Sequence, residues 1–207
     1  MTAGAASPAG VQVILASTSA SRNALLRAAG VSFDAIAPGV DEDAAKAALQ
    51  GEGATPRDIA DALAELKAVR VSRRNPDALV IGADSTLDLD GALIGKAADV
   101  DEARQRLRAL RGRSYKLHSG VVAARDGQPI WREVSTSTLK MRDISDAFLE
   151  DYLARQGEAV LSSVGCFHLE GEGVQLFERV DGDYFGILGL PLIGLLDLLR
   201  RHGALPI

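Results

Sequence analysis

Short apolar runs suited to strands alternate along this chain with stretches whose apolar positions recur every three or four residues. Val11–Ala16 is the first run and predicts a buried strand. Ser19 is the expected N-cap of a helix reaching Ala29, where Gly30 supplies a stop. A longer helix is predicted over Pro56–Arg73, with Ile59, Leu63, Leu66 and Val69 turned toward the core. The run Ala78–Asp84 reads as a strand that continues into a hairpin, Thr86–Gly95, turning at Asp90-Gly91. Asp99 with Glu102 makes a capping-box-like start for a helix ending near Gly112. Two long strands, Tyr115–Ala124 and Pro129–Met141, are joined by a turn at Asp126-Gly127. Ser145–Gln156 is amphipathic and predicts a helix, and Val174–Val180 predicts a strand turned at Asp181–Asp183. Pro191 opens a last helix that closes at Gly203. Strands alternating with helices, with hairpins among them, point to a mixed α/β sheet.

Composition narrows the class. The 207 residues suffice to bury a substantial core, and no repeat, low-complexity tract or interdomain linker divides them. A net charge of −5 argues against a dominant nucleic-acid surface, although a phosphate-binding enzyme needs only a few local cations. The basic cluster Arg104–Arg113 alternates with apolar positions, as a solvated helix face would. One cysteine, Cys166, excludes an internal disulfide, fits a reducing cytoplasm, and lies in an apolar run that predicts a buried, inert thiol. Residues 1–10 are small and uncharged and read as a flexible tail rather than a signal segment. The most apolar window, Phe185–Leu196, is too short to span a bilayer and contains Pro191.

Candidate chemistry gathers at two strand ends. The turn after the first strand presents Ser17, Thr18, Ser19 and Ser21 at a helix start, with Arg22 in the first turn. Hydroxyls and backbone N–H groups there can bind phosphate oxygens, and Arg22 would add a charged fork. Asp84 should stand at the carboxyl end of its strand, where open α/β sheets bind their ligands. Each residue alone has a simpler explanation: an N-cap, a turn former, a solvated charge. Together with Asp41-Glu42, Lys67 and Lys96 they supply the parts for attack on a polyphosphate. Acids would hold Mg²⁺ or Mn²⁺ and orient water, while cations neutralise the phosphates. Other signatures fail. Gly91–Lys96 is too short between its glycines for a Walker A loop, and Ala97 stands where a hydroxyl would bind Mg²⁺. The histidines His118, His168 and His202 are scattered, and no nucleophile elbow surrounds Ser119.

These segments together resemble the Maf family of nucleoside triphosphate pyrophosphatases, from about Val11 to the C-terminus. The resemblance is carried by Leu15–Leu26, Asp41-Glu42, Leu63-Ala-Glu-Leu-Lys67-Ala68, Gly82–Asp84, Gly95–Asp99 and Gly189–Leu192. It implies a single domain over 11–207, an elongated mixed sheet flanked by helices, and two lobes around a nucleotide cleft. It also implies catalytic roles for Asp84, Glu42 and Lys96, phosphate binding by Ser17, Arg22 and Lys67, and a divalent cation on Asp84 and Glu42. The implied reaction is attack of water on the α-phosphorus of a nucleoside triphosphate, with Asp84 as general base. The products would be the monophosphate and pyrophosphate, a house-cleaning of nucleotide pools.

The chain departs from the family pattern at Ser21-Arg22-Asn23, where many members pair two arginines. It departs again at Ala97, where proline is usual, and at Ser163-Val-Gly165, where some members have a lysine. Positions matching those that sort substrates in the family are Ser21, Ser85 and Glu170. The segment Phe167-His-Leu-Glu170-Gly171 is similar to the subgroup acting on 7-methyl-GTP, and a carboxylate at Glu170 can accept both N–H groups of a guanine edge. Ser21 and Ser85 match neither subgroup's usual residues. Partners expected are the triphosphate substrate and, by family analogy, a second copy of the chain, with neither nucleic acid nor membrane. The family is also associated with septum inhibition, so the competing reading is a nucleotide-binding regulator of cell division with little catalysis. The presence of Asp84, Glu42 and Lys96 favours the enzyme.

Overall fold

The computed structural model describes residues 10–207. The tail expected over 1–10 therefore lies, apart from Gly10, outside the described residues. Strand β1 (Val13–Ala16) leads into helix α1 (Ala20–Ala28), and a short β2 (Asp34–Ala35) precedes helices α2 (Glu42–Gly51) and α3 (Pro56–Ser72). The long β3 (Leu79–Leu89) turns into β4 (Ala92–Ile94), followed by α4 (Val100–Leu110) and the hairpin β5 (Ser114–Arg125) and β6 (Gln128–Met141). Helix α5 (Asp146–Gln156), two 3₁₀ segments, β7 (Phe177–Asp181), α6 (Tyr184–Ile187) and α7 (Leu192–Arg201) complete the chain.

The strands form one seven-stranded mixed sheet in the order β2-β1-β3-β5-β6-β7, with β4 on β3. β1 runs parallel to both β2 and β3, while the pairs β3–β5, β5–β6 and β6–β7 are antiparallel. One edge of β3 pairs with β1 up to Gly82 and with β4 from Leu87. Between those two pairings Ala83–Thr86 have no strand on that side. The cleft described below opens at this gap, and Asp84 stands in it.

Helix α3 lies unusually close to the sheet, and two glycines allow it. A Cβ on Gly82 would sit 2.2 Å from the Ala64 carbonyl oxygen, and one on Gly120 would sit 2.8 Å from that of Ala60. Small buried residues on the helix, Ala60, Ala64 and Ala68, meet these glycines. This close approach brings Lys67 down beside Asp84, midway along β3. On the opposite face α1 and α7 pack Leu26, Leu195, Leu198 and Leu199 against Leu15, Ile81 and Val121. A second cluster, built from α4, α5 and the far ends of the long strands, buries Leu107, Leu110, Tyr115, Leu139 and Tyr152. The two cores form the two lobes, with the cleft between them.

The capping chemistry agrees with the sequence reading at most ends. The side chains of Ser19, Ser145 and Asp99 each accept the expected N-terminal N–H, and Asp90-Gly91 both have positive φ, as a tight hairpin turn requires. Four expectations need correction. Leu66 is 40% exposed rather than facing the core, because the Gly82–Ala64 contact fixes which side of α3 meets the sheet. The strand expected from Val174 begins only at Phe177, since Glu172–Leu176 coils into a 3₁₀ segment. Glu102 accepts from the Ala98 N–H rather than closing a capping box on Asp99. Helix α2 was not anticipated; it buries no residue, and its apolar positions are mostly alanine rather than large core side chains. Cys166 is buried, and burial pushes its thiol up to about 11, consistent with an inert side chain. No helix among the described residues is long and apolar enough to cross a membrane.

Candidate functional site

The gap in the sheet opens into a cleft of about 610 Å³, within the range of small-molecule sites. All nine residues singled out from the sequence (Ser17, Ser21, Arg22, Glu42, Lys67, Asp84, Ser85, Lys96 and Glu170) line it. They arrive from β1, α1, α2, α3, β3, the loop after β4 and the segment before β7. Asp84, expected at the carboxyl end of its strand, instead lies midway along β3 (Leu79–Leu89), just beyond the point where the pairing with β1 ends, because the strand runs on into its hairpin with β4.

At the floor, Lys67 Nζ donates to Asp84 Oδ1 at 2.6 Å and contacts Glu42 Oε1 at 2.8 Å. Lys67 and Asp84 are both buried, whereas the Glu42 side chain is 39% exposed. Asp84 Oδ2 is buried and has no hydrogen-bond partner among the described residues. The ion pair thus takes one oxygen of Asp84 and leaves the other available within the cleft. An unpartnered buried carboxylate oxygen is costly, and it marks a place where water, a cation or substrate can enter. Partial burial works to raise the Glu42 pKa, but Lys67, with Lys46 and Lys96 behind it, outweighs that and holds the group below its ordinary value. Asp41, the other half of the predicted acidic pair, caps α2 by accepting the Ala44 N–H, so only Glu42 reaches the cleft.

The wall beside β1 is more tightly bonded than the sequence suggests. Arg22 Nε donates to the Gly189 carbonyl at 2.8 Å, and Nη2 donates to Ser85 Oγ at 3.1 Å. The guanidinium is buried, and burial lowers its pKa against the pull of Asp84 and Glu42. Part of the fork expected to grip phosphate therefore ties the cleft wall to the loop before α7. Gly189 makes this possible: its φ is +97°, and a Cβ there would crowd Arg22 Nε at 3.3 Å. Asn23, next to Arg22, donates to the Ser17 and Ser19 carbonyls and braces the loop. The Ser17 hydroxyl accepts from the Ser19 N–H. Of the first-turn N–H groups of α1, that of Arg22 is taken by Ser19 Oγ, and Ala20 and Ser21, whose N–H groups have no partner within the helix, line the same space.

At the mouth, Ser21 Oγ donates to Glu170 Oε1 at 3.1 Å, joining the two lobes across the opening. Ser85 Oγ also lies 2.9 Å from Ser119 Oγ, so of the predicted specificity residues Ser85 belongs to a hydroxyl network that includes Arg22, whereas Ser21 is bonded to Glu170. Lys96 is exposed on the cleft rim and makes no salt bridge among the described residues. Lys46 also lines the space, as do Phe167, His168 and Gly189, which the sequence marked only as parts of motif segments and not as site residues. Lys46 was signalled by its spacing from Glu42, one helical turn along α2. Phe167 carried no such signal, because its place depends on loop packing against Phe177.

As a cation site, the floor of the cleft offers two carboxylates, Asp84 and Glu42, and no cluster of three or more His, Cys, Asp or Glu suited to a metal ion occurs among the described residues. Two carboxylates with one unpartnered buried oxygen fit a cation such as Mg²⁺, which keeps much of its shell as water and substrate phosphate.

A nucleotide-sized polar cleft at strand ends, with an acid at its floor and cations around it, defines a phosphate-handling α/β protein. Residues 12–202 match the family model described as Maf-like protein, and the chain belongs to that family. It is 64% identical over 195 residues to the nucleoside triphosphate pyrophosphatase of Caulobacter vibrioides, covering 94% of this chain and 98% of that protein. Identity is 49% over 197 residues with the protein of the same name from Granulibacter bethesdensis, covering 95% and 100%. With the 7-methyl-GTP pyrophosphatase of Brucella abortus it is 48% over 192 residues, covering 93% and 96%.

Proposed function

We propose that this chain is a hydrolase that splits nucleoside triphosphates into the monophosphate and pyrophosphate, with Asp84 as general base and a divalent cation held by Asp84 and Glu42. The observation that carries this reading is the buried, unpartnered Oδ2 of Asp84 at the floor of a cleft ringed by Lys67, Lys96 and Arg22. The names of the relatives from Caulobacter vibrioides and Granulibacter bethesdensis support the same reaction class.

In this reading the triphosphate lies along the α1 start, where Ser17, the first-turn N–H groups and the remaining N–H bonds of Arg22 bind its oxygens. Lys96, from the rim, neutralises the outer phosphates. A water beside Asp84 Oδ2 gives its proton to that oxygen as its own oxygen attacks the α-phosphorus. The bond from that phosphorus to the bridging oxygen breaks, and pyrophosphate leaves with the bonding pair. Lys67 holds the other oxygen of Asp84, which fixes the carboxylate plane. A bound divalent cation would supply charge withdrawal from the phosphoryl oxygens, held by Asp84 and Glu42.

For the base, the reading is a guanine-type ring set against Glu170, whose carboxylate can accept two N–H donors. The 7-methyl-GTP pyrophosphatase name of the Brucella abortus relative favours it. Clearing non-standard or excess nucleotides in the cytoplasm is the role consistent with such chemistry.

The test is a screen of common and modified triphosphates for pyrophosphate release, with products checked for monophosphate. It would be run on the wild type and on Glu170→Gln, with EDTA and after added Mg²⁺ or Mn²⁺. Expected are pyrophosphate with monophosphate, loss of activity in EDTA restored by either metal, and erosion of guanine preference in the variant. Orthophosphate as the released product would sink the reaction, full activity in chelator would sink the metal role, and an unchanged substrate ranking would sink the role of Glu170.

A further inference from the structure

Lys96 stands exposed on the cleft rim, in a short loop between β4 and α4 that contains Gly95 and no proline. A long cationic side chain on such a loop samples many positions, and ordering it on a ligand costs conformational entropy. The loop is nevertheless held on both sides of Lys96 by a pair of side chains from α4. Arg106 Nη1 donates to the Gly95 carbonyl, and its Nη2 donates to Glu102 Oε1 at 2.6 Å. Glu102 Oε2 in turn accepts the Ala98 N–H at 2.7 Å. The bonds run from Gly95 through Arg106 and Glu102 to Ala98, and close a ring around Lys96 and Ala97.

Helix capping explains only part of this ring. Asp99 already caps α4 by accepting the Glu102 N–H at 2.8 Å. A capping box would return the Glu102 carboxylate to the Asp99 N–H, yet it reaches one residue further, to Ala98. The bond from Arg106 ends on a carbonyl well before the cap and satisfies no group of the helix. Nor does the ion pair account for it: Arg106 and Glu102 are one turn apart, the Glu102 side chain is 44% exposed, and such pairs add little stability. Ala97 is buried against the core formed by α4 and α5, which fixes the inner side of the loop. The Arg106 guanidinium also stands beside the buried Cys166 thiol, whose pKa burial raises and Arg106 lowers. It therefore links the Lys96 loop to the segment that leads to Glu170. Lys96 in its turn acts on the cleft: burial works to raise the Glu42 pKa, and Lys96 is among the lysines that lower it.

We propose that Arg106, working with Glu102, is a positioning residue for Lys96. It fixes the backbone on both sides of that lysine, so that the ammonium meets the outer phosphates already directed at them. The inference rests on the phosphate role given to Lys96 above. Arg106 itself touches no substrate, and its contribution passes through Lys96.

The test joins a double-mutant cycle on pyrophosphate release by the full chain with amide hydrogen exchange in the nucleotide-free protein. Arg106→Met keeps the aliphatic stem and removes both donors. Arg106→Lys keeps the charge opposite Glu102 but cannot also bond Gly95, and it carries the test should the methionine variant lose its circular dichroism spectrum. Arg106→Met should lower kcat/KM roughly tenfold, with Arg106→Lys between it and wild type. Added to Lys96→Ala, either change should cost no more than about a further twofold, because the lysine it serves is gone. The Ala98 amide should exchange about tenfold faster in Arg106→Met, and faster than wild type in Arg106→Lys. The exchange measurement needs no activity, so failure of the proposed reaction and failure of the ring are told apart. Near-normal kcat/KM in Lys96→Ala would overturn the phosphate role of Lys96 and this proposal together. An impaired Lys96→Ala beside unimpaired Arg106 variants, equal losses with and without Lys96, or an Ala98 amide exchanging at the wild-type rate would overturn the positioning role alone.

Discussion

Two clusters of charge in this molecule use the same residue types to opposite ends. In the cleft, Lys67, Asp84 and Glu42 meet at the floor of a pocket, two of them buried, and one carboxylate oxygen is left over. Between α4 and α5, Arg104 bridges Asp101 and Glu150, while Arg108 and Arg111 share Asp146 and Glu150 in the open. The surface network satisfies itself and is screened by water and salt, so its charges have little left to offer a ligand. The cleft trio is desolvated and incompletely paired, which is how a group keeps reactivity at the cost of stability. Both settings hold a carboxylate below its usual range. For Glu42 the lysines overcome burial, and for Asp146 the hydrogen bond from Arg111 leads. A depressed folded-state value means that each contribution is present above the ordinary carboxylate range and is lost as pH falls through the folded value.

The sharpest way to break the contrast is Asp84→Asn. Asparagine keeps an oxygen to accept from Lys67, so the fold should survive with an unchanged circular dichroism spectrum. It cannot take a proton from water at the position of Oδ2. Pyrophosphate release should drop by roughly 10²–10⁴. A variant that works at near-normal rate would remove Asp84 from its assigned role and reduce the cleft trio to a structural ion pair.

Removing Lys67 probes the same trio from its other side. The ammonium sits within 2.8 Å of both carboxylates, so its charge repels a divalent cation held by them and weakens its binding. Lys67→Met should lower stability, by about 3 kcal/mol for a buried pair broken on one side. At the same time it should raise the affinity of the nucleotide-free protein for Mn²⁺, read by the loss of the free-ion paramagnetic resonance signal. Mn²⁺ affinity that stays level or weakens would show that the two carboxylates do not form a cation seat. A melting midpoint that does not move would show that the pair is solvated.

How much of this was legible in the sequence follows from which forces are local. Caps and turns are local, and Ser19, Ser145 and Asp90-Gly91 behave as read. Lys67 and Asp84 could be named as site residues from their motifs. That they touch depends on Gly82 and Gly120 letting α3 sink onto the sheet, a tertiary fact that a glycine in a strand only hints at. Leu66 was misread for the same reason: its spacing fits the apolar stripe, and only the helix–sheet contact decides which side faces inward. Arg22 was correctly placed in the cleft, but its bond to the Gly189 carbonyl joins residues far apart in the chain, and nothing local announces it. Helix α2 was missed because its apolar face is mostly alanine and none of it is buried, so no run of large core residues marked it.

The smallest expected effect tests the other half of the contrast. Arg104 bonds Asp101 and Glu150, and two of those three side chains are largely exposed. If such a network is screened and self-satisfied, Arg104→Ala should leave pyrophosphate release unchanged. Its melting midpoint should move by no more than about 2 °C, and high salt should erase even that difference, because exposed charges beyond a few ångströms no longer sense one another. Thermal scans of wild type and variant at low and high salt make the comparison directly. A loss of several degrees that persists in salt would mean that the α4–α5 network is held in a drier setting than its exposure implies. The line drawn between a cleft that keeps its charges unspent and a surface that spends them would then have to be redrawn.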